Sequence, residues 1–207
     1  MCGRVDIHTP PSELARVLEA QLAAGVDPEG SPSWNVGPTK GLPAVVEDAE
    51  SDTKILDIFR WGLVPHFMKD PKAGGYKMIN ARADSVATKP AYRQALQKRR
   101  CLVVVDGFYE WAVEDASLPK SKQTKQPYYF RRADGAPITF AGLYEFWTDK
   151  SGSGPGSEQG TVLQTCVIIT TDAGPDMTDV HDRMPVIIEP ADRDRWLDRT
   201  VEDVALI

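Results

Sequence analysis

Residues 101–111 read CLVVVDGFYEW, and this stretch organises the prediction of the fold. Its first five residues are apolar and rich in valine, which is typical of a buried strand. Asp106 ends that strand, and GFYEW (107–111) follows at its carboxyl end, where proteins often present functional side chains. The stretch therefore predicts a core strand that leads into candidate functional residues.

Strand signals continue on both sides of this stretch. Short runs of apolar and β-branched residues, separated by turn residues, predict further strands. These strands are 4–8, 43–47, 55–59, 127–131, 138–146 and 162–170. Segments that are rich in Gly, Pro, Ser or Lys predict loops. The predicted loops are WNVGPT (34–39), KDPKAGGYK (69–77), residues 114–126 and SGSGPGSEQG (151–160).

Helix signals are fewer than strand signals. Thr9 and the PPSE that follows it predict a helix that runs to about Ala24. Pro90 precedes a second, basic helix, AYRQALQKRR, and a short helix is predicted around Asp192–Leu197. Because strands outnumber helices and most connections are short, we expect an α+β fold. Its core would be a curved, mainly antiparallel β-sheet or barrel-like structure with a few flanking helices, in one domain over residues 1–207.

Composition limits the class of protein. Hydrophobic residues make up 42% of the chain and charged residues 26%, as in soluble globular proteins. No apolar run approaches the roughly 20 residues that span a bilayer, and no signal peptide is apparent, so we expect no membrane partner. The few, widely spaced cysteines and histidines favour no disulfide framework, no metal and no cofactor. We therefore expect a cytoplasmic monomer, nucleoid-associated if the protein is bacterial.

The N-terminal sequence MCGR holds the most reactive group of the chain. Removal of Met1 would leave Cys2 with a thiol and a free α-amine on adjacent carbons. The α-amine has a pKa near ~8 against ~10.4 for lysine, so roughly one amine in ten is neutral at pH 7. Such an amine forms a Schiff base with an aldehyde, and the thiol can then close onto the imine carbon as a thiazolidine. MCGR thus predicts an aldehyde trap if suitable partners lie further along the chain.

Four further segments are dense in functional residue types: RWGLVPHF (60–67), INARAD (79–84), DGFYEW (106–111) and HDRMP (181–185). Together with MCGR, and in this order, they resemble the SRAP family of SOS response-associated peptidases. Members of that family shield abasic sites in single-stranded DNA by a covalent crosslink. The resemblance implies that this chain senses and shields abasic sites through a thiazolidine between Cys2 and the ring-opened sugar aldehyde. Its implied partner is single-stranded DNA with abasic sites, and a preference for strand junctions stays open.

The resemblance also implies four catalytic residues. Cys2 would be the nucleophile, and closing the thiazolidine would remove the iminium that invites strand cleavage. Glu110 would act as general acid and base, with its pKa raised by the aromatic rings beside it. His181 would move a proton to the sugar oxygen during ring opening. The amide of Asn80 would hold the terminal amine and the sugar, although an asparagine here equally suits a turn.

A DNA-contact set follows from the same resemblance. Its members are Arg4, Arg82 and Arg183 at phosphates, Trp61 and Trp111 as stacking surfaces, and Tyr76 and Pro38 as residues that wedge the strand. Stacking of one base on an aromatic ring is worth roughly 1–3 kcal/mol. Because the net charge of −6 argues mildly against nucleic acid, we expect a local positive groove and an affinity that falls as salt rises.

Two other functions fit part of the pattern. A peptidase or amidohydrolase with an N-terminal cysteine nucleophile would use Cys2, Glu110 and His181, but it gives the arginines and tryptophans no role. A non-catalytic module for single-stranded DNA would use those residues and leave Glu110 and His181 idle. The substitution Cys2→Ala separates the module from the two enzymes. An AP-lyase-type reaction and self-processing at Met1 also stay open.

Overall fold

The computed structural model describes residues 2–48, 51–115, 117–149 and 160–201. Its strands are β1 (Arg4–Ile7), β2 (Gln21–Leu22), β3 (Ser33–Val36), β4 (Gly41–Glu47), β5 (Lys54–Trp61), β6 (Asn80–Arg82), β7 (Arg100–Val105), β8 (Gly107–Val113), β9 (Lys125–Phe130), β10 (Ile138–Thr148), β11 (Val162–Asp172) and β12 (Arg183–Pro185). Its α-helices are α1 (Pro11–Val17), α2 (Pro71–Gly74), α3 (Ala83–Val86), α4 (Arg93–Lys98) and α5 (Arg193–Leu197). Met1 and nearly all of 151–160 lie outside the described residues, so removal of Met1 and the loop at 151–160 stay predictions.

Five strands close into a barrel. The pairs β11–β10, β10–β7, β7–β4 and β4–β5 are all antiparallel. β5 then pairs in parallel with β11, where Thr165 lies opposite Arg60 and Cys166 opposite Trp61, and this pairing closes the ring. β2, β6 and β12 pair at the margins of the barrel. The predicted α+β class with a curved, mainly antiparallel, barrel-like core is confirmed.

β7 is central because both of its faces are buried. Successive side chains of a strand point to opposite faces. Leu102 and Val104 therefore pack into one core with the helices, whereas Cys101, Val103 and Val105 pack into a second core with the four-stranded sheet described below. The continuous apolar run at the start of CLVVVDGFYEW reflects this burial on two sides.

A four-stranded sheet in the order β3-β1-β8-β9 packs beside the barrel. Asp106 forms the corner between β7 and β8, so GFYEW belongs to a strand of its own. The backbone N–H of Asp106 donates to the carbonyl of Asp6 at 2.9 Å. Its carboxylate accepts hydrogen bonds from the backbone N–H groups of His8 and Thr9, at 2.6 and 2.8 Å. This corner brings the DGFYEW motif beside the N-terminus.

Three predicted elements differ from the structure. The first helix ends at Val17, because the residues after it form β2, which pairs with β5. The Thr9 hydroxyl donates to the Asp106 carboxylate at 2.6 Å and so does not cap that helix. WNVGPT is partly strand, since Val36 of β3 pairs with Val5 of β1. The predicted loop at 69–77 contains α2 and a 3₁₀ turn. For the first helix and for WNVGPT, strand pairing with distant residues overrides local propensity.

Within the described ranges, none of the helices has the length and apolar content that crossing a membrane requires.

Candidate active site

Cys2 lies two residues before β1 and is buried in the second core. Its neighbours in that core include Val5, Phe108 and Trp61. Burial raises the pKa of the Cys2 thiol, and the negative charge of Glu110 raises it further. The thiol therefore keeps its proton at neutral pH, and Glu110 lies close enough to interact with it electrostatically.

Glu110 reaches this position because β8 pairs with β1. Arg4 lies opposite Tyr109 and Val5 opposite Phe108 in that antiparallel pair. Glu110 is two residues beyond Phe108, so both side chains point to the buried face of the sheet. Glu110 is 2% exposed. The negative charge of this buried carboxyl acts on the Cys2 thiol and raises its pKa.

Asn80 joins the same cluster directly. It begins β6, and its side-chain amide nitrogen donates a hydrogen bond to the carbonyl oxygen of Cys2 at 2.7 Å. The amide oxygen of Asn80 is also buried and accepts no hydrogen bond from the described residues. A buried acceptor without a donor costs roughly 1–3 kcal/mol, so this oxygen favours the arrival of an N–H or O–H group. The α-amine of Cys2 and a sugar hydroxyl are such donors.

Trp61 does not offer the stacking surface that was predicted for it. Its side chain is fully buried in the core. The indole N–H donates to the carbonyl oxygen of Ile79 at 2.9 Å, and the backbone N–H of Leu63 donates to the carbonyl of Met78 at 3.0 Å. These bonds hold the backbone just before Asn80. The prediction for Trp61 was therefore wrong, because this tryptophan positions β6 inside the protein.

His181 precedes β12, and its side chain is 25% exposed. Its Nδ1 accepts a hydrogen bond from the backbone N–H of Arg183 at 3.0 Å and lies 2.9 Å from a carboxylate oxygen of Asp182. β6 and β12 both pair with the end of β11, where Thr170 lies opposite Arg82 in β6 and opposite Pro185 in β12. The fold thus places INARAD and HDRMP on the two sides of one strand end.

Arg183 is buried, which corrects its predicted contact with phosphate. Its guanidinium donates to the carbonyl oxygen and hydroxyl of Thr170 at 2.7 and 3.0 Å, and to the carboxylate of Asp172 at 3.2 Å. Only 7% of the residue is exposed. The side chain therefore fixes β12 on β11 and leaves little surface for DNA.

The other two arginines of the predicted DNA-contact set are exposed. The Arg4 guanidinium lies across Gly37, where the absence of a side chain leaves room for it, and this places it beside the half-buried Pro38. Arg82 donates to Asp84 at 3.0 Å, and this hydrogen bond raises the pKa of Arg82 and lowers that of Asp84. Both cations can reach solvent near the ends of β1 and β6.

Aromatic side chains also reach the surface near these segments. Trp111 is half-buried, and Tyr76 is largely exposed on the connection between β5 and β6. Phe67, on the same connection, is 58% exposed although no functional role was predicted for it. Its place at the end of the RWGLVPHF motif was the sequence signal that could have singled it out. The DNA contacts of Trp111, Tyr76 and Pro38 stay predictions.

A cluster that the sequence did not reveal surrounds His8. One possible ligand atom each from Asp6, His8 and Asp106 lies within 4.8 Å of the others. The carboxylates of Asp6 and Asp106 are both occupied as acceptors of hydrogen bonds from the protein itself. The expected absence of a metal stays a prediction.

Residues 1–206 match the model of the family described as SOS response associated peptidase (SRAP). The chain belongs to the SRAP family. This SRAP protein is 38% identical over 199 residues to the abasic site processing protein YoaM of Bacillus subtilis, covering 95% of the chain and 79% of the relative. It is 33% identical over 234 residues to the abasic site processing protein HMCES of Gallus gallus, covering 96% and 66% respectively.

Solved structures share the fold of this SRAP protein. A crystal structure of a protein from Bacteroides thetaiotaomicron superposes with a TM-score of 0.81 at 25% identity, covering 99% of this chain and 86% of that one. A phage-related protein from Bordetella bronchiseptica superposes with a TM-score of 0.70 at 28% identity, covering 99% and 85%.

Proposed function

We propose that this chain senses and shields abasic sites in single-stranded DNA by a covalent thiazolidine at Cys2, formed after removal of Met1. The observation that carries the proposal is the cluster of Cys2, Asn80 and Glu110. Asn80 holds the Cys2 carbonyl, and the charge of Glu110 acts on the Cys2 thiol. Several relatives are named abasic site processing proteins, which supports the same substrate.

The reaction begins with opening of the abasic sugar. His181, protonated with its Nδ1–H directed at the Asp182 carboxylate, gives its Nε2 proton to the ring oxygen, and the Glu110 carboxylate accepts the proton of the C1′ hydroxyl as the aldehyde forms. The neutral α-amine of Cys2 then adds to C1′ and gives a carbinolamine. The buried oxygen of Asn80 accepts an N–H of this amine and orients its lone pair towards the aldehyde.

Glu110 completes the ring closure by first donating a proton to the carbinolamine and then accepting the proton of the thiol. As an acid it protonates the carbinolamine hydroxyl, which leaves as water, and an iminium remains. The Cys2 sulfur then bonds to the iminium carbon, and its proton passes to the Glu110 carboxylate. The product is a neutral thiazolidine, Glu110 is again protonated, and one water has been released. The raised pKa of the Cys2 thiol suits this sequence, because the thiol retains the proton that Glu110 needs.

DNA binding in this proposal uses members of the predicted set that reach solvent, together with Phe67. Arg4 and Arg82 bind phosphates on the two sides of the lesion, and both side chains are exposed. Trp111, Tyr76 and Phe67 offer rings on which neighbouring bases stack. A monomer that acts in the cytoplasm at single-stranded DNA, without metal or cofactor, remains our expectation.

The decisive experiment is intact-mass measurement after mixing protein that lacks Met1 with single-stranded DNA that carries one abasic site. We expect a heat-stable adduct with the mass of protein plus DNA minus water. Cys2→Ala and an undamaged strand serve as controls, and neither should give the adduct. If the DNA binds but no adduct forms, the covalent mechanism is wrong and the non-catalytic binding module is supported. If the DNA does not bind either, hydrolysis of peptides or amides by Cys2 becomes the leading alternative.

A further inference from the structure

The outward face of the four-stranded sheet carries a row of exposed side chains. Val5 and Phe108 point into the core, so the neighbouring residues Arg4 and Tyr109 point outward. Tyr129 of β9 lies opposite Tyr109, and their ring centroids are 5.0 Å apart. The row begins at Arg4, the first residue of β1 and two residues after Cys2.

Tyr109 and Tyr129 of this row also line a cleft of about 340 Å³. We call four of its lining residues the aromatic platform: Trp34, Tyr109, Tyr129 and Arg131. Trp34 is 60% exposed and stacks on the ring of His8 with a centroid distance of 5.8 Å. Tyr129 is 42% exposed, and Arg131 is also exposed.

The two carboxylates at the base of the cleft face the protein. Asp6 accepts hydrogen bonds from Tyr129 at 2.7 Å and from His8, whose Nδ1 lies at 2.9 Å. Asp106 accepts from the backbone N–H groups of His8 and Thr9 and from the Thr9 hydroxyl. Asp6 is only 2% exposed. What the cleft presents to solvent is therefore aromatic and cationic.

We propose that the aromatic platform binds nucleotides of the single-stranded DNA on one side of the abasic site. Flat π-surfaces suit bases of any sequence, and an exposed guanidinium suits the phosphate between them. The platform continues the row that Arg4 occupies, so a strand held at Cys2 passes over Arg4 and then over Tyr109 and Tyr129. This inference rests on the proposed function, whose substrate it extends from one lesion to a longer single strand.

The test measures equilibrium binding of a long, undamaged single strand by fluorescence anisotropy, in a Cys2→Ala background that cannot crosslink. Trp34→Ala should weaken binding roughly five- to 100-fold, because it removes a stacking surface. Arg131→Ala should reduce the slope of log affinity against log salt by about 0.7, because it removes one phosphate contact. Matched controls are Phe146→Ala, an exposed aromatic on β10, and Arg195→Ala, an exposed cation on α5. Both controls should bind as the parent does.

The proposal is overturned if Trp34→Ala and Arg131→Ala bind like the parent, or if the two controls weaken binding by the same factor. Thermal melting of every variant excludes loss of the fold as the cause. Protein with Cys2 intact is assayed for the adduct in parallel. If the platform substitutions weaken binding but no adduct forms, the crosslink is refuted and the platform is supported. If an adduct forms but the platform substitutions leave binding unchanged, the crosslink is supported and the platform is refuted.

Discussion

Single residues show how burial converts ordinary side chains into candidate reactive groups. A cysteine as fully buried as Cys2 is usually an unreactive apolar residue of the core. Two different strands nevertheless bring Glu110 and Asn80 to it. Asn80 uses its amide nitrogen on the Cys2 carbonyl and leaves its oxygen without a donor among the described residues. The side-chain nitrogen of Asn80 can thus hold the Cys2 backbone while its oxygen is available to accept a hydrogen bond from the Cys2 α-amine.

The role of Asn80 can be tested by substitution. Asn80→Ala removes both the donor to Cys2 and the waiting acceptor, and we expect the rate of adduct formation to fall roughly five- to 150-fold, the factor that about 1–3 kcal/mol represents. The rate is measured by quenched time courses on denaturing gels. Asn35→Ala, at an exposed asparagine on β3, is the matched control and should keep the parent rate. An unchanged rate for Asn80→Ala would remove this residue from the mechanism.

At the scale of elements, the connection from β5 to β6 carries Asn80 to the site. The buried Trp61 anchors it through Ile79, and Gly62 allows a sharp change of direction with a φ of +124°. A Cβ at Gly62 would lie 2.2 Å from the carbonyl oxygen of Gly75. The WG of RWGLVPHF is therefore a requirement of packing, and its effect on function is indirect.

Gly62→Ala should consequently damage both stability and crosslinking. We expect a loss of on the order of 2–4 kcal/mol in the free energy of unfolding, from backbone strain together with the clash. Gly135→Ala is the matched control, because Gly135 also has a positive φ, +74°, but open space around its Cα. Strain alone should cost it about 1 kcal/mol. Equal losses in the two variants, measured by urea unfolding, would contradict the proposed clash with Gly75.

At the scale of the whole molecule, Asp106 joins the barrel to the four-stranded sheet. At this corner Asp106 meets Asp6, which lies on β1, and His8, which directly follows β1. The hydrogen bond to Asp6 raises the pKa of His8 above 6.5, the charge of Asp106 adds to this, and partial burial opposes it. Protonated His8 therefore binds the corner more strongly than neutral His8 does.

This linkage makes a prediction about stability and pH. A folded pKa above the unfolded value means that the contribution of His8 is fully present below pH ~6.5 and is lost as pH rises through the folded pKa. The melting temperature of the parent should exceed that of His8→Gln at low pH, and the difference should shrink as pH rises. Calorimetric scans across this range measure it. A difference that is constant with pH would show that the charge on His8 does not stabilise the corner.

The class of fold and most strands follow from local sequence patterns, and the motifs predicted the central site residues. Alternating and continuous apolar runs are local patterns, and a strand such as CLVVV needs no partner to be recognised. The motifs MCGR, INARAD and DGFYEW likewise pointed to Cys2, Asn80 and Glu110 before any geometry was known, and the structure brings these three residues together.

Which aromatic and basic residues reach the surface follows from the tertiary fold alone. All four of Trp61, Arg183, Trp111 and Arg82 lie in motifs that predicted contact with DNA, yet Trp61 and Arg183 are buried. Trp34 was placed in a loop but lies exposed on β3, and nothing local distinguishes it from the buried tryptophans. Burial depends on which strands pair across the chain, such as β5 with β11 and β1 with β8. Those pairings join residues that are about 100 positions apart, and that information is absent from any local window of sequence.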